Sequence, residues 1–115
     1  MGHLRISYND ALTSLSGLEG VTSMGGNLYI GRNDALTSLS GLDGITSVGD
    51  NLTIAGNDTL TSLTGLEVVA SLAGDLYISG NGALCEGLAF DLETQLSDNG
   101  NDFESTIENN NGECL

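Results

Sequence analysis

The sequence predicts a mostly β fold, a solenoid of 24-residue coils closed by a C-terminal α-helical cap. Three observations carry this. The phrase LTSLSGL stands at 12–18 and again at 36–42, and LTSLTGL follows at 60–66, so one wording returns at a fixed interval of 24 residues. Within each interval apolar residues fall first with a period of two and then of three, tighter than a helix requires. Past Leu84 the rhythm changes, and Leu88, Leu92 and Leu96 take the i, i+4, i+8 spacing of an amphipathic helix. Repeats of about 20–50 residues mark solenoids and arrays, in which each unit buries its apolar face only against its neighbours.

The elements follow in order. Residues 1–3 (MGH) read as a cloning remnant. Residues 4–84 carry the repeats: 4–27, 28–51, 52–75 and a partial unit 76–84. Numbering the places of a unit from its first Leu, apolar residues occupy places 1, 3, 9, 12, 15, 18 and 21, which in the second unit are Leu28, Ile30, Leu36, Leu39, Leu42, Ile45 and Val48. The opening L-x-I is a strand. The period of three that follows suits a chain that bends round an axis and returns one apolar residue inward per short segment.

Place 6 is Asn in all four units (Asn9, Asn33, Asn57, Asn81), and identical amides on neighbouring coils can bond to one another and to backbone freed at a bend. Glycines at 17, 41 and 65, and at 25, 49 and 74, are expected at corners needing positive φ. Residues 85–115 form the cap, with a helix over about 86–97 and a final strand over about 103–109. Terminal repeats are atypical because something must cover the last core layer. No comparable cap is legible before Leu4, so a piece of a longer array is expected.

The L-x-I strand with its inward Asn resembles a variant leucine-rich repeat. More closely, GGNLYI, LTSLSGL and ITSVG resemble the repeats of the receptor L-domain group, which includes ligand-binding domains of growth-factor-type receptors and bacterial and fungal cell-surface proteins. The resemblance covers residues 4–84. It implies a right-handed parallel β-helix, an extracellular or cell-surface setting, and a binding or adhesive role. It carries over no catalytic residue.

Composition narrows the function further. Sixteen acids against two arginines and no lysine leave a net charge of −14. Nucleic acid is therefore an unsuitable partner, since phosphate contacts need clustered Lys and Arg, and no apolar run approaches a membrane span. His3 is the only histidine, so no base serves a Ser or Cys nucleophile, and no His/Cys cluster has metal spacing. The reading is a non-enzyme with neither cofactor nor metal. Acidic columns at place 16 (Glu19, Asp43, Glu67, Asp91) and place 7 (Asp10, Asp34, Asp58) offer hard-oxygen ligands, but without calcium-loop spacing they read as solvated surface acids. Threonine columns (Thr13, Thr37, Thr61; Thr22, Thr46) raise ice binding, against which stands the T-S wording in place of an alternating T-x-T.

The most informative asymmetry lies at two outward places of the first strand segment. Place 2 holds Arg5, Tyr29, Thr53 and Tyr77, and place 5 holds Tyr8 and Arg32, so every Tyr and Arg of the chain falls there. Such residue types dominate contact surfaces. These six are the candidate ligand-binding residues, for a protein or glycan ligand. The alternatives are a structural spacer, or a segment stacking end to end through its uncapped first coil.

The tail completes the reading. STIENNNGECL (105–115) aligns under LYISGNGALCE (76–86) at an offset of 29, matching Ile107 to Ile78, Asn110 to Asn81 and Cys114 to Cys85. Equivalent places on adjacent coils lie about 4.8 Å apart, within disulfide reach. A Cys85–Cys114 disulfide and an oxidising compartment are expected.

Overall fold

The structure is a computed structural model of the 115-residue chain, and it describes residues 2–112. Its strands are β1 (Leu4–Ser7), β2 (Ser23–Met24), β3 (Leu28–Gly31), β4 (Ser47–Val48), β5 (Leu52–Ala55), β6 (Ser71–Leu72), β7 (Leu76–Ser79) and β8 (Ser105–Glu108). One helix, α1 (Glu86–Asp98), intervenes before β8. The strands form two parallel sheets, one in the order β1-β3-β5-β7-β8 and one in the order β2-β4-β6. This is a parallel β-solenoid, about three turns stacked some 24 residues apart, with a C-terminal helix.

Register repeats the sequence period. Leu4, Leu28, Leu52 and Leu76 stand in one row, as do Ile6, Ile30, Ile54 and Ile78. A one-residue slip would turn this whole apolar set outward, so the core pins the register. Leu28, Ile30, Leu52, Ile54, Leu76 and Ile78 have no solvent exposure. β8 extends the row at the longer offset of 29, with Ile107 opposite Ile78.

The period of three has a simple cause. Leu12 N–H donates to Asn9 O, Leu18 to Leu15 and Val21 to Leu18, and the second and third coils repeat all three bonds. The chain after the strand is thus a succession of tight turns, each closing over three residues and delivering one apolar side chain inward. Gly17, Gly41 and Gly65 hold φ of 110, 114 and 121°, as a corner glycine should. Gly25, Gly49 and Gly74 do not have positive φ. Close approach explains the latter two instead, since a Cβ on Gly49 would stand 2.6 Å from Gly25 O and one on Gly74 would strike the Asn51 amide.

The Asn column forms a continuous ladder. Asn57 Nδ2 donates to Ile30 O of the preceding coil (3.1 Å) and to Asn81 Oδ1 of the next (3.1 Å). Its Oδ1 accepts from Asn33 N–H (3.1 Å) and Asn33 Nδ2 (3.2 Å). Asn33, Asn57 and Asn81 are fully buried, and Asn110 adds a fifth rung in the last coil. A second ladder runs at place 24. Asn27 Oδ1 accepts from Asn51 N–H, Asn51 Oδ1 from Asp75 N–H, and Asp75 Oδ1 from Glu104 N–H. His3 heads it, its Nδ1 accepting from Asn27 N–H at 2.8 Å.

At the C-terminal end α1 replaces the turns of the fourth coil. Its buried residues are Ala89, Leu92 and Leu96, an i, i+3, i+7 face, while Leu88 is 37% exposed. The core therefore takes a stripe centred one residue further round than the Leu88, Leu92, Leu96 spacing suggests. Asp91 lies in this helix rather than in a coil turn, and it lines one hollow together with Glu67.

Candidate functional site

The six candidate residues divide between two neighbouring surfaces. Place 2 is a sheet position, and the parallel register sets Arg5, Tyr29, Thr53 and Tyr77 side by side in one row. The Arg5 guanidinium lies 4.6 Å from the centre of the Tyr29 ring, and its Nε donates to Ser7 Oγ at 3.1 Å. The Tyr29 ring in turn lies across Gly31, where a Cβ would meet ring atoms at 2.6 Å. Arg5 and Gly31 thus both pack against the ring. A hollow of about 270 Å³ opens beside it, lined by His3, Arg5, Asn27, Tyr29, Asn51 and Thr53 among others.

Place 5 is not a strand position. The strand ends at place 4, and the next residue turns the corner with a left-handed backbone in every coil: Tyr8 (φ 58°), Arg32 (φ 56°), Gly56 (φ 70°), Gly80 (φ 68°) and Asn109 (φ 59°). Gly and Asn accept this conformation readily, whereas Tyr and Arg are held there at a cost of roughly 1 kcal/mol each. Tyr8 is 67% exposed, so burial does not compensate it. Arg32 is exposed as well, with its guanidinium 5.9 Å from the Tyr8 ring centre, within range of a cation–π contact.

Where the glycines follow, the side chains stop and a groove of about 530 Å³ remains. Tyr8 and Arg32 stand at one end, Gly56 and Gly80 provide a bare backbone floor, and Asp10, Asp34 and Asp58 line the rim. This groove was not foreseen, although its signal is present in the sequence: Tyr8, Arg32, Gly56 and Gly80 share a column, and two glycines there indicate positive φ.

The other candidates fall elsewhere. Glu19 and Glu67 each accept a hydrogen bond from an N–H of their own turn, Gly17 and Gly65, at 2.7 Å. Among the described residues no group of three or more His, Cys, Asp or Glu side chains is arranged to hold a metal ion. Thr46 and Thr61 donate their hydroxyls to the carbonyls of Thr22 and Thr37 in the preceding coil. Cys85 is the residue before α1 and forms backbone bridges with Asn111 and Gly112, while Cys114 lies outside the described residues. No helix among the described residues is long and apolar enough to cross a membrane. Comparison of the chain with protein-family models, curated proteins and solved structures returned no match.

Proposed function

We propose that the chain is a non-catalytic binding or adhesion module of the receptor L-domain kind, working at a cell surface or outside the cell on a protein or glycan ligand. One observation carries the reading. At the same left-handed corner, later coils use Gly56, Gly80 and Asn109, while the first two hold exposed Tyr8 and Arg32 against their backbone preference. Strain kept at an exposed aromatic and an exposed Arg, with little more than their mutual contact in return, is what a contact surface accounts for. The groove suits a saccharide ring laid on Tyr8 with hydroxyls shared among Asp10, Asp34 and Asp58, or a protein loop lying across the glycine floor. Arg5 and Tyr29, pre-ordered on the adjoining sheet row, widen the same surface. Rigid elements beneath hold both pairs, so little conformational entropy is lost on binding.

Ice recognition finds less support, because the Thr46 and Thr61 hydroxyls are engaged within the coil stack rather than forming a free outward array. The test is a glycan and protein array probed with the native chain and with the double variant Tyr8→Gly, Arg32→Gly. The variant should lose binding while its melting temperature stays level or rises, since glycine suits the corner. A blank array for the native chain favours a spacer. Binding retained by the variant moves the contact surface off this corner.

A further inference from the structure

The ladder at place 24 uses only half of each amide. Asn27 Oδ1 accepts from Asn51 N–H (2.9 Å) and Asn51 Oδ1 from Asp75 N–H (2.8 Å), while neither Nδ2 has an acceptor among the described residues. Neither nitrogen is sealed from water. Place 6 is the contrast, since Asn33, Asn57 and Asn81 each direct Nδ2 to two acceptors. The next residue of the place-24 ladder is Asp75, and its Oδ1 accepts from Glu104 N–H (3.1 Å) as the amide oxygens do. A carboxylate thus suffices for the ladder, and what Asn27 and Asn51 add is a spare donor each.

Asn27 and Asn51 both line the hollow of about 270 Å³ beside Tyr29, together with Arg5 and Thr53. Arg5 engages only Nε, on Ser7 Oγ, so its two terminal nitrogens have no protein acceptor among the described residues. His3 borders the hollow too, with Nδ1 already taken by Asn27 N–H. On a chain of −14, no carboxylate lines this hollow. The corner groove, by contrast, is rimmed by Asp10, Asp34 and Asp58, and the hollow beside α1 holds Glu67 and Asp91. Such a lining suits a group that only accepts hydrogen bonds and carries negative charge.

We infer that this hollow is a subsite for the carboxylate of one acidic sugar, a uronate unit. It rests on the reading of the Arg5–Tyr29 row as part of the contact surface, and names the class of ligand for that row. Equivalent places on adjacent coils are about 4.8 Å apart, and an oxygen set slightly off the midpoint of two such donors lies about 2.9 Å from each. Arg5 supplies the opposite charge, and Thr53 Oγ1 is left for a ring hydroxyl. The two amides stand just before β3 and β5, within the stack, so the donor pair does not depend on what precedes β1. Two features favour a sugar over an acidic peptide. The volume falls just under the ~300–1,000 Å³ of drug-sized sites, which is room for one ring. β3 and β5 are paired on both sides, so a peptide laid there finds no strand edge for its own N–H and C=O groups, and a sugar brings none.

The test is an NMR titration of the full chain with methyl glucuronide, with neutral methyl glucoside and with acetate, at fixed ionic strength. Methyl glucuronide should shift the side-chain amides of Asn27 and Asn51 saturably, binding on the order of tenfold or more tighter than either other probe. The double variant Asn27→Asp, Asn51→Asp keeps an oxygen at each rung, as Asp75 does, but loses both donors. Read on the backbone amides of Tyr29 and Thr53, its binding should fall by on the order of tenfold or more, with the Ile54 and Ile78 signals in place to report the fold. Ser16→Asp, Ser40→Asp adds the same charge on exposed turns and should bind as the native chain does. An absent shift at Asn27 and Asn51, glucoside or acetate binding as tightly as glucuronide, or equal losses in the two charge variants overturns the inference. The three-probe comparison on the native chain decides alone if the Asp variant fails to fold. Glucuronide shifts confined to Arg32 and Gly56 overturn this subsite and leave the corner groove standing as the contact surface.

Discussion

Asn57 has no exposure to solvent, and its side chain takes part in four hydrogen bonds spanning three coils. Replacing it with Ala leaves Asn33 N–H without a partner in a buried place and takes one bond each from Asn33 Nδ2, which keeps Ile6 O, and from Ile30 O. A buried orphan costs about 1–3 kcal/mol and each further lost bond about 1 kcal/mol, so Asn57→Ala should destabilise the fold by about 2–5 kcal/mol. Asn9 belongs to the same column but is exposed at the open end, where water can replace what is lost, and Asn9→Ala should cost under about 1 kcal/mol. Urea unfolding of the two variants checks the contrast; equal losses would mean that the ladder bonds add nothing beyond packing. The Asn column is legible in the sequence because identical residues at a fixed interval need a common geometric cause. The left-handed corner at place 5 is harder to see, because Tyr8 is a good strand residue and Arg32 an ordinary surface one, and both mask the conformation that Gly56 and Gly80 reveal.

Helix α1 and β8 are joined to the last full coil through the segment around Cys85. Gly112 N–H donates to Leu84 O at 2.9 Å, and Cys85 forms a backbone bridge with Gly112. The uniform offset of 29 between the last two coils matches residue 114 to residue 85 in sequence, as it matches Ile107 to Ile78 and Asn110 to Asn81. A Cys85–Cys114 disulfide is therefore predicted, closing a loop of 29 residues in sequence and contributing about 3.5 kcal/mol through the entropy of the unfolded chain. Intact mass after folding under oxidising conditions should be two hydrogen atoms short of the reduced chain, and reductant should lower the unfolding midpoint. Two free thiols in that preparation would remove the disulfide and, with it, one of the reasons for an extracellular setting. At this scale the sequence is only partly informative. The strand rows and the offset of 29 follow from periodicity, which one face of a buried sheet enforces. The closing contacts of Glu86, Gln95 and Asn101 do not, because each occurs once and no repetition distinguishes it from an ordinary surface residue.

The whole molecule is a short stack measuring 29 × 27 × 19 Å that carries −14. Stacking makes the charge more costly than its total suggests, since coils about 4.8 Å apart set Asp10, Asp34 and Asp58 one above another. Glu19 and Glu67 cannot swing freely to relieve the second column, because each is held by an N–H of its own turn. Neither Arg5 nor Arg32 relieves these columns fully, each guanidinium being drawn onto a tyrosine ring. Screening should therefore stabilise the fold. With a Debye length of about 30 Å at 0.01 M and about 3 Å at 1 M, repulsion between rungs extends across the stack at low salt and is largely lost at high salt. Melting temperature should climb by several degrees between millimolar and half-molar NaCl, and millimolar calcium should add nothing beyond its ionic strength, since the described carboxylates form no chelating group. A flat response to NaCl would mean that the columns splay apart in solution. A large additional gain with calcium would mean that the Asp10, Asp34 and Asp58 rim closes round an ion, and the groove would then have to be read as a metal-dependent contact surface.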